Sequence, residues 1–404
     1  MAARKHRARR ATPPIEVDGA GAPPLGMPAA EFLRDYWQKH PLLVRNAFPG
    51  FESPISPEDL AGLACEELAL SRIVAHDRDG DRWQLRHGPF PEELFPTLPD
   101  HDWTLLVQDV DKWDMDVRAL LAAFDFLPSW RLDDIMVSFA APGGSVGAHV
   151  DQYDVFLLQA HGHRRWRIDA RPGAPTAFRD DAELKLLREF TPDHDWVLAP
   201  GDMLYLPPGV PHHGVAEDAC LTFSIGMRAP SQSELMLDFV EELAASLPEE
   251  RRYADPDLQP PADPHEIDDA AFARVRAALQ PLRDLDDAAL RRWFGRFATQ
   301  YRAAGDLPRP ARPPSPAAVA KALAAGGRLL RHPHARHAWA REGRRARLHA
   351  SGLAYVMGVG AAKRLAAGAS LDAADVAALD DDGRAALHAL VAQGHYHLQR
   401  PRRR

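Results

Sequence analysis

Apolar and polar positions divide this chain into two languages. From Ala29 the run AAEFLRDYWQKH has helical spacing, and PLLVRNAF after it reads as a short strand. SRIVAHDRDGDRWQLRH, from Ser71, alternates on both sides of Asp79-Gly80 and predicts a hairpin. WTLLVQDV, IMVSFAAPGG, VDQYDVFLLQA, HRRWRIDA, WVLAPGDMLYLPPG and CLTFSIGMRAP then follow as short β segments parted by Pro/Gly turns. No regular crossover helix lies between them, so the pattern predicts a double-sheet barrel rather than parallel βαβ units.

After Pro230 helical spacing takes over. SQSELMLDFVEELAASL offers a serine N-cap and places Leu235, Phe239, Leu243 and Leu247 on one face. A break rich in Pro and Asp leads to AFARVRAALQPLRDL and AALRRWFGRFATQY, and GDLPRPARPPSP from Gly305 reads as a linker. Beyond it come a short helix, PAAVAKALAA, a hairpin around Glu342-Gly343 and a further helical piece, GAAKRLAAG. A helical tail ending in GHYHLQ closes the chain. Helices interleaved with a small hairpin resemble a winged-helix unit. The expected division is a disordered basic tail over 1–14, a barrel over 15–230, helices over 231–304 and a winged-helix-like unit over 305–404.

Composition narrows the class. The chain has 404 residues, too many for one ordinary core, with 46% hydrophobic and 26% charged residues, as in a globular protein. Two cysteines, Cys65 and Cys220, both in apolar surroundings, argue against a disulfide framework and for a reducing, cytoplasmic setting. The basic start MAARKHRARR lacks the apolar stretch of a secretory signal, and no apolar run is long enough to span a bilayer. A net charge of -8 opposes general coating of nucleic acid. Seven arginines between Arg328 and Arg347 still make the C-terminal hairpin locally basic.

The candidate chemistry centres on GSVGAHVD, residues 144–151. Read as a strand, it turns His149 and Asp151 to one side, because strand residues i and i+2 share a face. GDMLYLPPGVPHHGV supplies a third ligand from His212 or its neighbour His213. Two histidines and one carboxylate on one face of an octahedral metal leave three positions open, the arrangement of non-haem Fe(II) oxygenases. In HRRWRID, alternation groups Arg164 with Trp166 and Ile168 on the apolar, inward face. A buried guanidinium needs an anion, either a carboxylate co-substrate or an Asp or Glu of the protein itself, and both readings stand at this stage. Ser138 and Ser224 could add hydroxyl donors.

SFAAPGGSVGAHVDQYDVFLLQAHGHRRWRI followed by GDMLYLPPGVPHHGVAEDACLTFSIGMRAP resembles the bacterial JmjC-type ribosomal oxygenases of the cupin superfamily. Within them it is most similar to the arginine 3-hydroxylases of large-ribosomal-subunit protein sixteen. The match runs closely from about Pro28 to Pro230, and HVDQYDVF and YLPPGVPH are its most specific parts. The resemblance implies a double-stranded β-helix, or jelly-roll, core followed by a helical dimerisation segment and a C-terminal winged helix. It implies Fe(II) on His149, Asp151 and His212, with dioxygen and 2-oxoglutarate as co-substrates. Arg164 would hold the far carboxylate of 2-oxoglutarate, with Ser138 nearby. It further implies a ribosomal-protein substrate and a homodimer, and the basic residues of the tail and of the C-terminal unit suggest rRNA contact through either. His213 and the long tail before Pro14 depart from the family pattern. Tyr153 and Asp154, beside the triad, are candidates to orient a cationic substrate. Histidyl hydroxylation, lysine demethylation, a zinc or manganese cupin without 2-oxoglutarate, and a ribosome-binding module with an idle barrel remain as alternatives.

Overall fold

A computed structural model describes residues 13–22, 24–256, 258–260, 265, 267–284, 286–300 and 307–400. The expected basic tail lies almost wholly outside them, as does the start of the linker. Two compact units result, Met1–Ala229 and Pro230–Arg404.

The first unit is built on twelve strands. They are β1 (Glu16–Asp18), β2 (Leu42–Arg45), β3 (Ser71–Asp77), β4 (Arg82–His87), β5 (Trp103–Val107), β6 (Leu132–Ala140), β7 (Val155–His161), β8 (Arg164–Ile168), β9 (His194–Leu198), β10 (Met203–Leu206), β11 (His212–Ala216) and β12 (Cys220–Met227). They form a nine-stranded sheet, ordered β1-β2-β10-β7-β12-β6-β5-β3-β4, and a three-stranded sheet, β11-β8-β9. Only β1 with β2 is a parallel pair; the other registers are antiparallel. This is the expected double-stranded β-helix of a JmjC cupin, and β3 and β4 form the predicted hairpin.

Alternation along the large sheet separates two cores. One set of residues, including Ile73, Leu105, Val137, Phe156 and Phe223, packs outward beneath helices α1 (Ala29–Asp35) and α2 (Pro57–Leu63). Phe32 anchors that layer, fully buried with its ring against Tyr36, Trp37, Phe126, Phe156 and Tyr205. Truncating it to alanine removes a ring from a close-packed layer, at a cost of about 3–5 kcal/mol. The alternate residues face the small sheet. There Leu43, Val155, Leu157 and Leu204 meet Trp166, Ile168 and Leu198, while Ser138, Gln159 and Thr222 make the same lining polar further along.

The second unit begins with α3 (Gln232–Ala245), whose Ser231 forms a capping box with Glu234, as the serine at its head predicts. Phe239 of α3 lies 5.0 Å from the Trp293 ring, and Trp293 Nε1 donates to Asp238 at 2.8 Å. Trp293 belongs to α5 (Asp287–Thr299), which follows α4 (Asp269–Ala278). The remainder has the winged-helix form. α6 (Pro316–Ala324), α7 (Val359–Ala367) and α8 (Asp381–Ala392) pack with β13 (Arg328–Arg331) and an antiparallel sheet of β14 (His337–Glu342), β15 (Arg345–Ala350) and β16 (Leu353–Gly358). One expectation fails here. The helical tail stops at Ala392, and Tyr396–Gln399 is a strand paired with β13, because Gly394 takes a positive φ and turns the chain back.

Candidate active site

His149 and Asp151 do not sit on a regular strand. They lie in the segment between β6 and β7, which touches β11 through two isolated bridges, Ser145 with Val215 and His149 with His212. In the second bridge the amide of each histidine donates to the carbonyl of the other at 3.0 Å. Extended geometry still turns residues 149 and 151 to one side, so the i, i+2 logic gives the right convergence on a different local structure.

His149, Asp151 and His212 each offer a ligand atom within 4.8 Å of the other two. Asp151 Oδ2 lies 3.9 Å from His149 Nε2 and 3.6 Å from His212 Nε2. Each imidazole is anchored at its other nitrogen: Nδ1 of His149 lies 2.9 Å from the Gly147 carbonyl, and Nδ1 of His212 lies 2.9 Å from the Val210 carbonyl. A carbonyl only accepts, so Nδ1 carries the hydrogen in both rings and both Nε2 lone pairs face the carboxylate. Burial, reinforced by the His149 ring, lowers the His212 pKa to about 4, which keeps it in the neutral, ligating form. His213 faces the opposite way, its Nε2 hydrogen-bonded to Ser145 Oγ at 3.0 Å. It therefore fastens β11 to the ligand-bearing segment from outside the cluster.

Two glycines fit this site. Gly147 has φ +81, and a Cβ there would come within 2.4 Å of Leu186. At Gly214 a Cβ would stand 2.7 Å from the Trp166 ring and 2.8 Å from Arg164 Nε. Gly214 is thus the gap through which the Arg164 side chain runs.

Arg164 faces inward with Trp166 and Ile168, as alternation predicts, and is 3% exposed. Its guanidinium lies over the Trp166 ring at 5.2 Å and donates to the Gly214 carbonyl at 3.3 Å. Among the described residues its Nε has no hydrogen-bond partner, nor has Trp166 Nε1. Burial lowers the Arg164 pKa, and among the described residues no carboxylate offsets it; the group that opposes the shift is the Cys220 thiol. A protein ion pair, one of the two readings left open, is therefore absent. Leaving a guanidinium in this state costs several kcal/mol. The pocket has the donor set for an anion that arrives with a ligand. Ser138 lies inside the same barrel on β6, buried, with its hydroxyl only weakly engaged at 3.5 Å from the Thr222 carbonyl.

Asp154 does not join the site. It is fully buried and taken up by Tyr205, Gln38 and Arg131 at 2.7, 2.9 and 3.2 Å. Tyr153 does join, within electrostatic reach of Asp151 and of Asp134. Asp134 is the residue the sequence reading missed. It shares strand parity with Met136 and Ser138, so it faces the barrel interior, and it accepts the Asp109 amide at 3.1 Å. Burial, with Asp109 and Asp133 nearby, raises its pKa to about 7. The available signal was its place in LDDIMVSFA, two and four residues before inward positions.

A cupin barrel with two histidines and a carboxylate at one level, and an unneutralised arginine deeper in, defines a mononuclear metal-dependent oxygenase that uses an acidic co-substrate. Comparison with known proteins narrows this class. Residues 119–235 match the JmjC domain family, and residues 280–397 the ROXA-like winged helix. The ribosomal protein uL16 3-hydroxylase of Escherichia coli is 39% identical over 304 residues, covering 74% of this chain and 79% of that protein. The X-ray structure of E. coli YcfD superposes with TM-score 0.80 at 36% identity, over 93% of this chain and 99% of that one. YcfD in complex with cobalt and 2-oxoglutarate superposes with TM-score 0.76 at 35% identity, over the same shares. The chain belongs to the JmjC-domain ribosomal oxygenase family.

Proposed function

We propose that this protein is an Fe(II)- and 2-oxoglutarate-dependent hydroxylase of an arginyl side chain in a large-subunit ribosomal protein. The observation that carries it is the pairing of the His149–Asp151–His212 cluster with the orphaned guanidinium of Arg164 in one barrel. Bound by those three residues, Fe(II) would couple oxidation of 2-oxoglutarate by dioxygen, to succinate and carbon dioxide, to insertion of one oxygen atom into a C–H bond. The protein's own part is positional. Arg164 holds the far carboxylate of the co-substrate, with Ser138 alongside, so that the keto-acid end reaches the metal. The Nδ1 anchors hold both imidazoles in the ligating tautomer before metal arrives. Asp134, with Tyr153 beside it, offers a carboxylate at the substrate side; an incoming guanidinium would favour its ionised form and be gripped bidentately.

The test is succinate production and a one-oxygen mass gain on a peptide from the arginine-containing loop of the ribosomal protein, with Fe(II) supplied anaerobically. Both should vanish in Asp151→Ala. Absence of turnover with every ribosomal peptide, despite bound metal, would favour a cupin without 2-oxoglutarate chemistry.

Two partners follow from surfaces. Among the described residues of the helical segment, Met236, Leu237 and Val240 of α3, Phe272 and Val275 of α4 and Leu279 just after it are exposed, an apolar area that a second copy of the chain would cover. Arg344 lies in the exposed turn between β14 and β15 and Arg341 just before it, which suits contact with rRNA. No helix of the described residues is long and apolar enough to cross a membrane. A ribosomal-protein substrate supports a cytoplasmic setting.

A further inference from the structure

Thr104 of β5 is wholly buried, yet among the described residues its Oγ1 has no hydrogen-bond partner. A hydroxyl in that position loses its water without compensation, a penalty of about 1–3 kcal/mol. Native interiors rarely leave such a group unpaired unless something else completes it.

The registers show where this hydroxyl points. Trp103, Leu105 and Val107 belong to the outer core, so Thr104 faces the small sheet. It stands opposite Ala140 of β6, and Ala140 stands opposite Cys220 of β12. Cross-strand partners share a face. Ala140 and Cys220 in turn cluster with Ala216 of β11, which is paired directly with Arg164. The Cys220 thiol is also the electrostatic neighbour of that guanidinium. Thr104 and Arg164 therefore close the same end of the barrel, floored by the small side chains of Ala140, Ala216 and Cys220. His212 lies four residues further along β11, roughly 13 Å of strand. The Arg164 side chain and a five-carbon diacid share that distance.

We propose that Thr104 Oγ1 donates a hydrogen bond to the far carboxylate of 2-oxoglutarate beside Arg164, making Thr104 a determinant of co-substrate selection. This rests on the 2-oxoglutarate reading above. Arg164 supplies the charge, and Thr104 supplies a donor of fixed position on the opposite sheet. A keto acid lacking the far carboxylate leaves both unpaired.

The test is calorimetric binding to the full-length protein, without oxygen and with Mn(II) in place of iron. The probes are 2-oxoglutarate and 2-oxopentanoate, which ends in methyl where the first ends in carboxylate. Thr104→Val, nearly isosteric, should weaken 2-oxoglutarate roughly tenfold to a hundredfold. It should leave 2-oxopentanoate unchanged and thermal stability equal or higher, while Thr104→Ser keeps wild-type affinity. Wild-type affinity for 2-oxoglutarate in Thr104→Val overturns the proposal. So does an equal loss in the valine and serine variants, since the hydroxyl would then not be the cause. Failure of the wild-type protein to bind 2-oxoglutarate, or indifference of Arg164→Ala, would instead sink the underlying functional reading.

Discussion

Replacing Gly214 by alanine places a methyl group in the passage that the Arg164 side chain occupies. The new Cβ would stand 2.7 and 2.8 Å from two ring carbons of Trp166 and 2.8 Å from Arg164 Nε, all closer than real Cβ contacts allow. Trp166 is held in the core between the sheets by Leu157, Leu198 and Leu204, so the indole has little room to retreat. Arg164 is the softer partner, with one long hydrogen bond to the Gly214 carbonyl and a free Nε. Overpacking of this degree costs about 1–3 kcal/mol. If displacement of the guanidinium absorbs that strain, the cost falls on ligand affinity, about 5- to 150-fold for 2-oxoglutarate. If the backbone absorbs it instead, the cost appears as about 2–4 °C of melting temperature per kcal/mol in a unit of this size. The assay pairs thermal unfolding with calorimetric binding of 2-oxoglutarate under Mn(II). We expect the affinity to fall by at least fivefold with the smaller share in melting temperature. Wild-type values in both measurements would refute the reasoning about the passage.

Three further outcomes are expected. With Co(II) as a visible probe, His212→Ala should abolish the ligand-field absorption of the bound ion while His213→Ala retains it; the reverse would exchange their roles. Asp134 has a raised pKa, about 7 against an ordinary value near 4, so the unfolded chain binds fewer protons than the folded one across that interval and stability falls as pH rises through it. Asp134→Asn should thus gain melting temperature over wild type at pH 8 relative to pH 5, and should raise KM for the peptide with little change for 2-oxoglutarate; a pH-independent gap would contradict the assigned cause. Leu237→Asp on α3 should shift the protein to monomer in light scattering with turnover of small substrates preserved, and an unchanged mass would remove that face from the assembly.

Local rules carried the sequence reading a long way, and they stopped where contacts between distant strands begin. Alternation in HRRWRID placed Arg164 inside, and the Asp79-Gly80 turn located a hairpin, because both depend on neighbours within a few residues. The convergence of His149 with Asp151 was legible although the segment is not a strand, since extended backbone alone sets the parity. Asp134 stayed hidden because its environment is made by Asp109 and Tyr153, far from it in sequence. Asp154 was misjudged for the same reason: proximity to the triad said nothing of Arg131, Gln38 and Tyr205, which claim it. The C-terminal GHYHLQ segment was drawn into the preceding helix because its strand partner, β13, lies more than sixty residues upstream.

The reciprocal bridge between His149 and His212 has a kinetic consequence. Each ligand's amide proton is held by the other ligand's carbonyl, so no fluctuation that exposes either amide to solvent leaves the two imidazoles in register. Loss of imidazole register and opening of the barrel rim are then a single event. In hydrogen–deuterium exchange that event would be seen as two amides, sixty-three residues apart, that exchange at one common rate and slow together when metal is added.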